Sequence, residues 1–144
     1  MTYLLDTNVV SELEKKDEDV NPAVLAWWNA LNEDGGDDWM VPSPVIAELS
    51  DGVWRMKGQK SFTKLRADFD RYCNFYSEFF AAWDAECART WGELQFSPAV
   101  KRQPQALWDS LIDAMAVRHG YTVATRNTKD FRHAETFSPW EFKG

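Results

Sequence analysis

The segment Tyr3-Leu4-Leu5-Asp6-Thr7-Asn8-Val9-Val10 decides how this chain begins to fold. Three consecutive apolar residues are too few for a helix and suit a buried strand, whereas Asp, Thr and Asn favour turns and helix N-caps. A strand that hands over directly to a helix is therefore predicted, with Asp6 at the strand's carboxyl end. Residues 9–13 run into Glu14-Lys15-Lys16-Asp17-Glu18-Asp19, a mixed-sign block that reads as a solvated helix end and loop.

The same grammar recurs along the chain. Asn21-Pro22 supplies a cap and an N1 proline for a helix with Val24, Leu25, Trp28 and Leu31 on one face, ending before Asp34-Gly35-Gly36-Asp37. Trp39-Met40-Val41 reads as a strand stopped by Pro42. Ser43-Pro44 repeats the cap-plus-proline signal and opens a helix through Val45, Ile46, Leu49 and Val53. From Gly58 onward Phe62, Leu65, Phe69 and Tyr72 recur at threes and fours, the pattern of a long amphipathic helix. Residues 79–83 read as a short buried strand, and Asp84 as the cap of a helix reaching Leu94. Residues 97–104 are polar and bounded by prolines, hence a loop. A further helix carries Leu107, Leu111, Met115 and Ala116 to His119-Gly120. Residues 121–125 form a strand, 126–130 a polar turn, and Thr136-Phe137 a last extended piece before Pro139. Strand and helix alternate, so the expected fold is α/β: one domain, 1–144, with a mostly parallel sheet covered by helices on both faces. In such sheets ligands lie at the carboxyl ends of the strands, where Asp6 and the 126–130 turn both fall.

Composition narrows the possibilities. With 144 residues, 44% of them apolar and 27% charged, the chain has ordinary globular usage, against disorder or a disulfide scaffold. Cys73 and Cys87 lack CxxC spacing and read as buried thiols. The uncharged stretch 20–32 is too short and polar to span a bilayer, and no basic leader or cleavage site precedes Asp6, so a cytoplasmic location without membrane association is expected. Eight tryptophans spread through predicted helices and termini suit core packing or a protein interface better than base stacking. Sixteen basic residues against twenty-three acidic ones give a net charge of −7, which at first sight disfavours a nucleic-acid partner.

The acids carry the chemical signal. Asp6 ends a strand, Glu48 sits among apolar helix residues, Asp109 and Asp113 share one helix face, and Asp130 closes a turn. Two carboxylates about 4 Å apart repel by about 4 kcal/mol at an effective dielectric near 20, a cost that a cation between them removes. Oxygen donors without histidines at metal spacing suit Mg²⁺ or Mn²⁺. Each acid also has a purely structural reading: Asp6 as a cap, Glu48 paired with Arg55 or Lys57, Asp109 as an early-turn acid, Asp113 paired with Lys101 or Arg102. His119 reads as a partner of the helix dipole. No GxSxG elbow, GxxxxGK[ST] loop or GxGxxG turn is present.

Leu4-Leu5-Asp6-Thr7-Asn8-Val9-Val10-Ser11-Glu12 resembles the opening motif of PIN-domain ribonucleases, specifically the VapC-type toxins of bacterial toxin–antitoxin pairs. Ser43-Pro44-Val45-Ile46-Ala47-Glu48-Leu49 resembles their second motif. Asp109-Ser110-Leu111-Ile112-Asp113-Ala114-Met115-Ala116 and His119-Gly120-Tyr121-Thr122-Val123-Ala124-Thr125-Arg126-Asn127-Thr128-Lys129-Asp130-Phe131 resemble the third and fourth, and Phe137-Ser138-Pro139-Trp140 is similar to the FitB-like subgroup. The resemblance implies a three-layer α/β/α sandwich with about five strands, Mg²⁺- or Mn²⁺-dependent endoribonuclease activity, homodimerisation, and inhibition by a VapB-like antitoxin that also binds operator DNA. By the same resemblance Asp6, Glu48, Asp109 and Asp130 form the catalytic, metal-holding core, and Asp113 is a further candidate ligand. Thr7, Asn8, Thr125 and Asn127 support the site, with Arg126 and Lys129 near flanking phosphates of an RNA substrate.

Two other classes compete. An aspartyl-phosphate phosphatase also begins with an Asp after its first strand, but wants an acid where Asn8 stands. A catalytically inactive PIN-like binding module partnered with a transcriptional regulator would not need every core acid. If all five candidate acids belong to the site, eighteen acids and sixteen bases remain, a charge of −2. The acidity is then local and no longer argues against RNA.

Overall fold

The computed structural model describes all residues, Met1–Gly144. Five parallel strands, β1 (Thr2–Leu5), β2 (Asp38–Pro42), β3 (Phe80–Ala81), β4 (Thr122–Ala124) and β5 (Thr136–Phe137), form one sheet in the order β3-β2-β1-β4-β5. Parallel neighbours require crossovers, and seven helices supply them in an α/β/α arrangement: α1 (Thr7–Leu13), α2 (Pro22–Leu31), α3 (Ser43–Trp54), α4 (Phe62–Tyr76), α5 (Ala85–Gln95), α6 (Pro98–Arg102) and α7 (Leu107–His119). β1 is the central strand, and Leu4 and Leu5 are fully buried there with Val41 and Val123 from its two neighbours. The chain leaves β1 toward β2 and later returns to its other side as β4. The carboxyl ends of β1 and β4 thus mark the point where strand order reverses, the position at which open α/β sheets form a crevice.

Local chemistry explains the element ends that place the site. The Asp6 carboxylate accepts the Thr7 N–H at 2.8 Å and so caps α1, while the Asp6 N–H donates to Ala124 O at 3.0 Å and ties β1 to β4. At the other end of the α7–β4 connection, Gly120 has φ +70°, a left-handed conformation that lets the chain turn from helix into strand.

Three expectations change. Residues 97–104 are not all loop: Ser97 accepts the Val100 N–H at 3.2 Å and, with Pro98 behind it, starts α6. This is the same cap-and-proline signal read at Asn21-Pro22, here followed by only one helical turn. Ser43 is not the cap of α3 but its first residue, and its hydroxyl accepts the Trp83 N–H at 2.9 Å instead. The strand expected over 79–83 contracts to Phe80–Ala81, paired with Val41 and Pro42. The tryptophans pack as expected: Trp27 meets Tyr3 edge-on at 5.4 Å, and Trp39 lies against Trp28 at 4.8 Å and stacks on Phe79 at 4.1 Å. No helix is long and apolar enough to cross a membrane.

Candidate active site

Asp6 is buried at the switch point, and its second carboxylate oxygen accepts the Thr125 hydroxyl at 2.8 Å and the Asn8 amide at 3.3 Å. The Thr125 hydroxyl in turn accepts the Asn127 N–H at 3.1 Å, and the Asn8 side-chain oxygen accepts the Arg126 N–H at 3.0 Å. Asn8 and Thr125 therefore lock the loop after β4 onto the start of α1, and Asn127 contributes its backbone to the same lock. Thr7 donates its hydroxyl to Glu48, joining α1 to α3. Neither Arg55 nor Lys57 is the partner of Glu48; Arg55 pairs with Asp51 on the helix exterior at 2.8 Å.

Asp109 lies half-buried in the first turn of α7, and no group of the protein donates a hydrogen bond to its carboxylate. Burial, first, and then the charges of Asp6, Asp130 and Glu48 push its carboxyl up to about 7, with Arg132 acting in the opposite sense. The Asp6 carboxyl is also raised, chiefly by burial and further by Glu48 and Asp130, against the hydrogen bonds from Thr125 and Thr7 that favour its charged form. The charges of Glu48 and Asp130 thus reach both Asp109 and Asp6, and that of Asp6 reaches Asp109. Asp130 stands in the 3-10 turn Thr128–Asp130, and its carbonyl accepts the Gln105 side-chain amide at 3.1 Å. An all-carboxylate set in which the neighbouring acids raise the carboxyls of Asp109 and Asp6 is chemically suited to a hard divalent cation bound through oxygen.

Asp113 is not in this pocket. Its carboxylate accepts the Ala134 N–H at 2.9 Å and the His133 N–H at 3.3 Å, and meets His133 Nδ1 at 2.8 Å; His133 Nε2 then meets Ser97 Oγ at 2.8 Å. The Asp113 oxygens are used instead to clamp the 131–135 loop and α6 onto α7. Lys101 and Arg102, the partners its structural reading offered, do not pair with it. Sequence reasoning missed this chain, and it also missed Arg132, whose guanidinium donates to Gln103 O at 2.9 Å and to Lys129 O, bracing the turn that carries Asp130. No spacing rule finds such residues, because their partners arrive from other elements.

A sheet-end acidic pocket on a five-stranded parallel α/β/α scaffold places the chain in a definite class. Residues 3–136 match the PIN domain, and the chain belongs to that family. It is 30% identical over 141 residues to VapC ribonuclease Y4jK of Sinorhizobium fredii, covering 96% of this chain and 97% of that one. It is 29% identical over 140 residues to toxin FitB of Neisseria gonorrhoeae, covering 95% and 97%. Among solved structures, FitAB bound to an IR36 DNA fragment superimposes with a TM-score of 0.75 at 27% identity, covering 100% of this chain and 99% of that one.

Proposed function

We propose that the protein is a metal-dependent endoribonuclease and the toxin of a toxin–antitoxin pair, with Asp6, Glu48, Asp109 and Asp130 as the residues that hold Mg²⁺ or Mn²⁺. The observation that carries this reading is the convergence of four carboxylates on one pocket, three of them raising the proton affinity of the fourth. When bound, such a cation supplies Lewis-acid chemistry: activation of water at neutral pH and neutralisation of charge building on the phosphodiester.

The chain's own residues prepare the site. Thr125, Asn8 and the Thr7 N–H hold the Asp6 carboxylate in one orientation, and the Thr7 hydroxyl fixes Glu48 beside it. Asp109 and Asp130 enter from the start of α7 and from the turn after β4, so with Asp6 before α1 and Glu48 in α3 the site draws on four separate stretches of chain. Arg126 lies over the Trp140 ring at 5.2 Å and Lys129 is exposed on the same turn, a modest basic rim for phosphates flanking the scissile bond.

A partner is part of the same reading. Toxin FitB and the FitAB–DNA complex are the relatives that motivate a VapB-like antitoxin, which would carry operator-DNA binding while this chain takes RNA, acting as a homodimer. An apolar groove of about 330 Å³ lined by Leu13, Val20, Leu25, Trp28 and Phe75, with Phe75 72% exposed, supports it by offering surface that a partner would cover. An antitoxin Arg or Lys entering the acidic pocket would replace the cation.

The test is direct. Protein freed of any partner should cleave RNA with Mg²⁺ or Mn²⁺ and stop when the cation is chelated, and Asp6→Asn should lose cleavage while keeping its far-UV circular dichroism. Undiminished cleavage by Asp6→Asn would remove the site assignment.

A further inference from the structure

At the far end of α7 a second group of side chains comes together that has no part in the acidic pocket. His119 is the last residue of α7, ten positions beyond Asp109 and so about 15 Å along the helix. Across from it, Asp84 caps α5 by accepting the Cys87 N–H at 3.0 Å, and Cys87 lies in the first turn of that helix, fully buried. One ligand atom from each of Asp84, Cys87 and His119 lies within 4.8 Å of the other two.

The geometry points to a transition-metal site, with Zn²⁺ as the matching ion, that staples the start of α5 to the end of α7. The donor set is thiolate, imidazole and carboxylate, the three ligand types zinc takes, and it differs in kind from the all-oxygen pocket. Cys87 Sγ and His119 Nε2 are 3.9 Å apart. With Zn–S near 2.3 Å and Zn–N near 2.1 Å, two ligands of one zinc stand about 3.6 Å apart at the tetrahedral angle and about 3.9 Å apart when that angle opens to roughly 125°. The side chains are held before any ion arrives. The Asp84 carboxylate is fixed by its cap, and the His119 ring stacks on Tyr121 with centroids 5.2 Å apart and planes 18° from parallel. Arg118, the neighbouring charge that opposes a cation, is drawn toward Glu86 at 3.8 Å. Asp84 and His119 are exposed while Cys87 is not, so the ion enters from solvent and keeps a water in the fourth position. Binding releases the Cys87 thiol proton to solvent and leaves the thiolate on the metal, with no change of oxidation state.

The site does not depend on the nuclease reading. Co²⁺ titrated into the full chain tests it, because only a thiolate ligand gives the intense sulfur-to-cobalt charge-transfer absorption, which Co²⁺ in the carboxylate pocket cannot produce. One Co²⁺ per chain with that band is expected, displaced by Zn²⁺, and Zn²⁺ should raise the Tm. His119→Gln, an exposed substitution that leaves the fold intact, should weaken Co²⁺ binding at least about tenfold. Cys87→Ser should abolish the band, while Cys73→Ser and Asp6→Asn should leave it unchanged. Absence of the band in the wild-type chain, its survival in Cys87→Ser, its loss in Cys73→Ser, or indifference to His119→Gln would each overturn the assignment.

Discussion

Asp109 and Asp113 stand one turn apart on the same helix, yet the fold treats them in opposite ways. Asp113 is 1% exposed and is met by two backbone N–H groups and an imidazole. Asp109 is more open, receives no hydrogen bond, and faces Asp6, Glu48 and Asp130. A carboxylate whose lone pairs are filled by donors is part of the scaffold, whereas one surrounded by other acids is held at a cost that a cation can relieve. Burial alone would have ranked the two in the wrong order.

The largest expected difference between them is in catalysis. Asp109→Asn should lower metal-dependent RNA cleavage by about 10²–10³-fold, the scale of removing one strong electrostatic contribution to a transition state, while leaving the Tm of the metal-free protein unchanged or higher. Asp113→Asn should do the reverse. It strips acceptors from His133 and Ala134 and should cost roughly 2–3 kcal/mol of stability in denaturant titrations, with cleavage per folded molecule little altered. A Tm preserved in Asp113→Asn together with lost cleavage would return Asp113 to the pocket.

The contrast also shows which parts of the molecule were legible in the sequence. The β1–α1 junction was, since strand, turn and cap follow one another within eight residues and Asp6 serves both as cap and as pocket acid. Four acids were singled out because the motifs resembling PIN nucleases sit in order along the chain, and in the structure the charges of Asp6, Asp130 and Glu48 reach Asp109. The Asp113 partner was not legible: His133 lies 20 residues away on a loop without periodicity, and Ser97 is 36 residues from His133. The Cys87–His119 pair, 32 residues apart, was hidden for the same reason. Local signals decide where elements begin, whereas donors that cross between elements become visible only once the sheet order brings them together. Ser97-Pro98 is the exception, a local signal that was present and was outweighed by the polar, proline-bounded stretch around it.

Proton linkage sharpens the comparison at smaller effect. The Asp109 carboxyl rises from its ordinary 3.8 to about 7, so between those values the folded, metal-free protein holds a proton that the unfolded chain has released. Stability from this group is then fully present below pH ~4 and is lost as pH rises toward 7. The Tm of metal-free protein should fall across that window relative to Asp109→Asn, and Mg²⁺ should raise the Tm more at pH 7 than at pH 5. Equal slopes in the two proteins would mean that neither burial nor the neighbouring acids raise the Asp109 carboxyl.

The smallest effect is expected at the proposed rim, Arg126 and Lys129, on the stretch that runs from β4 to Asp130. Both are exposed, and Arg126 rests on the Trp140 ring rather than on a carboxylate of the site. If they meet RNA only through phosphates, each contact releases counterions from a single strand and contributes a slope of about 0.7 to the dependence of log affinity on log salt. Arg126→Ala with Lys129→Ala should therefore weaken RNA binding at low salt, flatten that dependence by about 1.4 and raise KM, while kcat with saturating RNA and cation stays near the wild-type value. A fall in kcat at unchanged KM would instead place one of these cations against the reacting phosphate, and the boundary between pocket and rim would then run through the turn after β4 rather than outside it.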